Sequence, residues 1–265
     1  MLIKGIPGVK TRDQLREHIA RSGCYSPEEN LRIYDKWFAT APRYLFHAIN
    51  KKYGISEKIL CDMGCAYGMN LVFSPIGSYG IEIEEYERNF AHHIGLTVYQ
   101  RDIIADDFCD LPKVEVVWSS GVLEYLESPH IALRKMHLLL KPGGLLVLYT
   151  SMIPWIPWLS HLRGLERYVS GFKAGGVINS FVPSTLRFFC ERAGFKTVEI
   201  SSIYPGIVRI FNRVPIMNRL TSVCVYIGQK IDHWEYPENS PRRVALNRAG
   251  FVYLGQQFPK VVESN

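Results

Sequence analysis

The chain has 265 residues, 47% of them hydrophobic and 21% charged, enough apolar material for one large globular domain and too much for wholesale disorder, collagen or coiled coil. Its net charge of +6 is uneven, with 17 Lys and Arg against 18 Asp and Glu in residues 1–150 and 14 against 7 in residues 151–265, so the basic second half fits either an anionic partner or plain solubility. Six cysteines form no CxxC pair and no zinc spacing, and the start MLIKGIPGVKTRDQ lacks a secretory apolar segment, so free thiols in the cytosol and no resident metal are expected.

Residues 11–21 and 27–52 read as helices. The second places Glu28 and Glu29 in its first turn and Lys51 and Lys52 before Gly54, where each charge suits the helix dipole, and Pro42 divides it. Five apolar runs follow as strands: KILCDMG, SYGIEI, LTVYQRDI, VEVVWSS and GLLVLYTS. Between them EEYERNFAHHIG and ESPHIALRKMHLLLKPGG read as helices, the latter amphipathic through Ile131, Leu133, Met136, Leu138, Leu139 and Leu140. Strand–helix alternation means βαβ units and a parallel sheet with helices on both faces.

The uncharged run 142–162 is long enough for a membrane span, but Gly143-Gly144, Pro154 and Pro157 argue for a buried strand and a turn instead. A Pro/Trp/Gly-rich insert occupies about 151–179, and its Trp155 and Trp158 beside Arg163 and Arg167 suit a membrane interface or an apolar substrate. A helix PSTLRFFCERAGF ends at Gly194, then KTVEISSIY and TSVCVYIGQK add a hairpin to the sheet. The domain boundaries expected are a helical cap over 1–54, a catalytic domain over 55–228 and a polar extension over 229–265.

The informative motif is ILCDMGCAYGMN. A buried strand runs into Gly64, Cys65, Ala66, Tyr67 and Gly68, where small residues let a ligand approach the backbone. Glu82 ends the next strand, 20 residues after Asp62, placed to accept from both hydroxyls of a ribose. Gly80 beside it allows close approach. Asp102, ending the third strand, is placed to accept from the exocyclic amine of adenine. Asp62 then discriminates. A dinucleotide pyrophosphate repels a carboxylate two residues before the first glycine, whereas a cofactor carrying an ammonium uses one. That favours S-adenosylmethionine over a nicotinamide and makes a dehydrogenase the weakest reading.

In this order CDMGCAYG, YGIEIEEY, VEVVWSSGVLEYLESP and LLLKPGGLLVLYT resemble class I S-adenosylmethionine-dependent methyltransferases, the small-molecule branch that includes ubiquinone-biosynthesis and sugar or antibiotic enzymes. The resemblance covers roughly residues 55–228. It implies a Rossmann-like seven-stranded, mostly parallel α/β sheet with an antiparallel last strand, preceded by N-terminal helices and interrupted by an insert after strand 5. By position it implies that Asp62, Gly64, Cys65, Ala66, Tyr67 and Gly68 line the methionyl end and that Glu82 and Ile83 meet the ribose. Asp102 and Ile103 would frame the adenine, with Ser119, Ser120, Gly121 and Val122 under the sulfonium. Ala66 departs from the usual middle glycine, Pro75 cuts the first helix to little more than a turn, and Tyr125 stands where many relatives have His.

Methyl transfer needs a protein base only when the acceptor is an O–H or a protonated N. The candidates are Glu124, Tyr125, His161 and Tyr204, with His161 favoured because it lies in the insert. Tyr34, Trp37 and Phe38 are either an aromatic lid or core. The basic second half and the Trp-rich insert suggest a small anionic acceptor with an apolar part, such as a nucleotide sugar, a lipid-linked glycan or a quinone precursor, with peripheral membrane contact allowed and nucleic acid disfavoured. The rival from another class is a catalytically inactive scaffold of the same fold.

Overall fold

Helix α1 (Arg12–Ala20) begins where Thr11 and Gln14 cap each other reciprocally, and α2 (Pro27–Ile33) where the Ser26 hydroxyl accepts from the Glu29 N–H with Pro27 in the first turn. The computed structural model describes residues 2–39, 42–151, 177–202, 223–235, 252–253 and 256–257. The expected helix over 27–52 is divided, as the proline requires. Its first part widens into a π turn over Tyr34–Phe38 and its second, α3, runs Pro42–Tyr53.

The strands follow as β1 (Leu60–Met63), β2 (Tyr79–Ile81), β3 (Val98–Tyr99), β4 (Val114–Ser120), β5 (Leu140–Ser151), β6 (Phe195–Ser202) and β7 (Val223–Lys230). Helices α4 (Glu85–His93), α5 (Pro129–Leu139) and α6 (Pro183–Arg192) connect them. The sheet order is β3-β2-β1-β4-β5-β7-β6, with β7 antiparallel to both neighbours and every other pairing parallel. This is the Rossmann-like sheet expected from the motifs. A short hairpin pairs β8 (Val252–Tyr253) with β9 (Gln256–Gln257).

One sheet face packs against the N-terminal helices and α4, burying Ile19, Ile33, Phe46, Phe90 and Trp118 in a single cluster. The other packs on α5 and α6 through Leu133, Met136, Leu186, Cys190 and Phe195. The order of the strands reverses between β1 and β4, and the crevice at the carboxyl ends there is where such sheets take ligands.

Two details differ from expectation. Helix α5 stops at Leu139, and Lys141–Gly144 belong to β5, where a register shift between Val114 and Val116 absorbs them. Its buried set is also wider than one stripe, since Arg134, Lys135 and His137 are buried while Ile131 and Leu138 are only half-buried. Among the described residues no helix is long and apolar enough to cross a membrane, and residues 140–151 lie in the sheet. All six cysteines are free.

Gly80 allows a close approach, but by the protein itself. A Cβ there would stand 2.3 Å from the Cys65 sulfur, so the glycine lets the loop after β1 sit down on β2. The loop also carries a non-glycine residue in the left-handed region, Ala66 at φ 47°. Two outcomes are expected in chemical denaturation. Gly80→Ala destabilises by about 1–3 kcal/mol through overpacking. Ala66→Gly stabilises by about 0.5–1 kcal/mol, because the strain it relieves exceeds the entropy a glycine adds to the unfolded chain.

Candidate active site

Asp62 is the third residue of β1 and only 2% exposed. Its Oδ2 accepts from the Asn70 amide at 3.0 Å, the one hydrogen bond its side chain makes among the described residues. Asn70 is itself buried, and its backbone carbonyl is held by the Ser74 hydroxyl at 3.0 Å. Burial pushes the Asp62 carboxyl up to about 7, with Glu82 adding to the rise and the Asn70 amide opposing it.

The loop from Gly64 to Asn70 is a set of tight turns, followed by a single 3₁₀ turn over Leu71–Phe73. This agrees with the shortening expected from Pro75. Gly64, at φ 71°, passes within 2.4 Å of Val122 Cγ2, measured from the position of an added Cβ, so this glycine interlocks the loop with the end of β4. The loop is tied to β2 as well. Gly64 and Cys65 donate their N–H groups to the Ile81 carbonyl at 2.9 and 3.1 Å.

Glu82, which follows β2, is the junction. Its Oε2 accepts from the Ala66 N–H at 2.9 Å, and its Oε1 accepts from the N–H groups of Ile83 and Glu84 at 2.8 and 3.0 Å. Each carboxylate oxygen offers two acceptor positions, so with three taken Glu82 orders the loop and keeps one, on Oε2, for a hydroxyl group. Ile83 beside it is 58% exposed. Asp102 accepts with Oδ1 from the N–H groups of Ile104 and Ala105, which hold its carboxyl below the usual range. Ile103 next to it is half-buried.

At the end of β4, Ser119 is 1% exposed and its hydroxyl is buried with no partner among the described residues. Gly121, at φ 68°, donates to the Tyr149 carbonyl at 2.8 Å and turns the chain between β4 and the 3₁₀ turn Leu123–Tyr125. Glu124 in that turn is 3% exposed, and its Oε2 accepts from the Thr150 hydroxyl at 2.9 Å. Its other oxygen lies 4.0 Å from the position a Cβ on Gly121 would take. Tyr125 is 46% exposed and shows no such enclosure. His161 and Tyr204 lie outside the described residues.

The aromatic trio divides. Tyr34 and Phe38 are buried in the core, whereas Trp37 is half-buried with its ring 5.6 Å from that of Tyr67 in the glycine loop. Tyr67 also meets Tyr86 and Phe90 edge-on, and Tyr86 stacks on Tyr25 at 4.2 Å. Beside this cluster Glu87 is pushed up to about 7 by burial, with Glu82 and Glu84 adding and Lys36 opposing. Sequence reasoning missed Glu87. Its only signal was a place one turn into α4, two residues beyond Glu85. Burial holds the Cys65 thiol far above its ordinary range, so that residue serves packing and not nucleophilic chemistry.

The geometry fits a zwitterionic, hydroxyl-bearing ligand: a buried carboxylate for an ammonium, a second carboxylate for hydroxyl donors and an apolar rim. A methyltransferase-domain family model matches residues 36–200, more than half of the chain. No curated protein matches at a significant level. Solved structures share the fold. One is a chain of the complex between the Haloferax volcanii Trm112 methyltransferase activator and a protein named as a methyltransferase, 19% identical, covering 85% of this chain and 99% of that one at a TM-score of 0.55. An S-adenosylmethionine-dependent methyltransferase from Archaeoglobus fulgidus is 19% identical over 75% of this chain and 98% of its own, TM-score 0.51. Another from Mesorhizobium loti is 17% identical over 66% and 92%, TM-score 0.51. On the family match and the sheet that carries these residues, the chain belongs to the methyltransferase-domain family and is an S-adenosylmethionine-dependent methyltransferase.

Proposed function

We propose that the enzyme moves a methyl group to an oxygen or nitrogen of a small anionic acceptor, binding its cofactor across the ends of β1, β2 and β4. The observation that carries this reading is Asp62, a carboxylate buried at the head of a central strand with an amide as its one hydrogen-bond partner among the described residues. Asp62 would hold the amino group of the methionyl end, with the loop Gly64–Gly68 packed beside it, its N–H groups at Gly64, Cys65, Ala66 and Gly68 already given to Ile81, Glu82 and Cys65. Glu82 would take one ribose hydroxyl on its remaining acceptor position, Asp102 and Ile103 the adenine, and Ser119–Val122 would lie under the sulfonium. Bound there, the cofactor supplies an electrophilic methyl. The chain supplies alignment for in-line displacement, the larger part of the rate gain in such reactions.

Among the base candidates Glu124 is best supported, because it is enclosed between the ends of β4 and β5 and fixed by Thr150. The acceptor reading draws on the basic excess of residues 151–265. A cytosolic setting, suggested by the free thiols, belongs to the same proposal.

The charge logic of Asp62 gives the test. A carboxyl raised to about 7 in the folded chain is largely protonated at pH 6. The folded state then binds more protons than the unfolded, so this group's contribution to stability falls as pH rises from the unfolded carboxylate value through about 7. A cationic ligand reverses that, since binding favours the ionised form and expels a proton. Calorimetric titration with S-adenosylhomocysteine at pH 6.5 is expected to show heats that vary with buffer ionisation enthalpy, and affinity that rises with pH up to about 7. Asp62→Asn should abolish the proton release and weaken binding by about 1.5–3 kcal/mol. Binding by Asp62→Asn with unchanged affinity contradicts the assignment.

The base assignment has its own measurement once an acceptor is found by screening with labelled methyl donor. Glu124→Gln should lower kcat by about 10²–10³-fold while S-adenosylhomocysteine binding persists, and Tyr125→Phe should leave kcat near wild type. Equal kcat in Glu124→Gln removes Glu124 from the chemistry.

A further inference from the structure

Lys135 lies on α5, where a lysine is expected to reach for water, yet the residue is only 4% exposed. Its ammonium donates to two backbone carbonyls, Ile104 at 2.6 Å and Asp106 at 2.5 Å, and passes 5.2 Å from the centre of the Phe108 ring. Burying an ammonium is costly unless its donors are met. Here two of the three are met by one short turn.

That turn is otherwise closed on itself. The Asp106 N–H donates to the Asp102 carbonyl at 3.1 Å and the Asp102 N–H to Asp106 Oδ2 at 2.7 Å. The N–H groups of Ile104 and Ala105 donate to Asp102 Oδ1 at 2.7 and 3.0 Å. Donors within the turn are thus satisfied locally, while the carbonyls of Ile104 and Asp106 turn inward to a cation from another element. Asp102 and Ile103, the residues assigned above to the adenine, sit on this turn.

We infer that Lys135 is a positioning residue for base recognition: its buried ammonium fixes the 102–106 turn so that Asp102 and Ile103 meet the adenine edge in one geometry. The inference rests on the cofactor site proposed above. It also explains why a cation is spent at a position where leucine or methionine would pack at lower cost. Lys135 touches no reacting atom and acts through the backbone it holds.

The test compares S-adenosylhomocysteine with S-inosylhomocysteine, which lacks the exocyclic amine, by calorimetric titration of the full chain. Wild type is expected to prefer the adenine ligand. Lys135→Met keeps most of the length and the apolar stem but deletes the donors, and Lys135→Gln, which removes the charge and shortens the reach, serves if Met impairs folding. Either variant should weaken S-adenosylhomocysteine by about tenfold and bring the two ligands close to equal affinity. A role limited to stability would lower the melting temperature and leave the ratio of the two affinities unchanged. That outcome overturns the inference, as does an equal loss for both ligands. Failure of wild type to bind S-adenosylhomocysteine would instead strike the site assignment beneath it, so the two failures are told apart.

Discussion

An ionised carboxylate buried in a sheet costs several kcal/mol unless donors or a cation meet it, and the crevice is arranged around that cost at Asp62. β1 is buried along its whole length, so the side chain of Asp62 cannot turn to water. One amide, from Asn70, meets it. Burial pushes its carboxyl up to about 7, and in the site proposed above a ligand that brings an ammonium would complete it. Glu82 raises the local negative potential further. In the site proposed above a pyrophosphate would meet the repulsion of both carboxylates.

Around that point the loops are fastened by side chains, which leaves little to reorganise on binding. Glu82 holds the glycine loop at Ala66, Gly64 interlocks with Val122, and Gly80 admits Cys65. Glu124 joins the turn after β4 to the end of β5 through Thr150, and its backbone carbonyl accepts from Ile178 and Asn179, at the end of the insert. Trp37, on the π turn of the N-terminal helices, closes over Tyr67. The strap from Tyr25 through Tyr86 to Glu29 and Arg32 ties those helices to α4. Preorganisation of this kind lowers the entropy cost of binding.

Much of the fold was legible because strand and helix periods alternate cleanly from Ile59 to Thr150. Other features were hidden for definite reasons. A KPGG run reads as a helix end and turn, but Gly143 at φ 68° lets it enter β5 beside a bulge. Gly80 reads as room for a ligand, although its space is filled by a sulfur. A lysine on an amphipathic helix reads as solvated surface, and nothing local to Lys135 announces that the carbonyls of Ile104 and Asp106 await it. Asp102 reads as a ligand acceptor or a turn cap, and in the folded chain one of its oxygens is committed to the turn. Long-range pairing is what a one-dimensional pattern leaves out.

The site proposed above makes Asp62 a buried carboxyl, raised to about 7, that an ammonium would meet. The most direct measurement is its ionisation by carbon NMR of labelled aspartate carboxyls, assigned with Asp62→Asn, with and without S-adenosylhomocysteine. The account predicts a midpoint near 7 in the free chain and a fall into the ordinary carboxylate range in the complex. An ordinary midpoint in the free chain, or one that S-adenosylhomocysteine leaves unmoved, would contradict it.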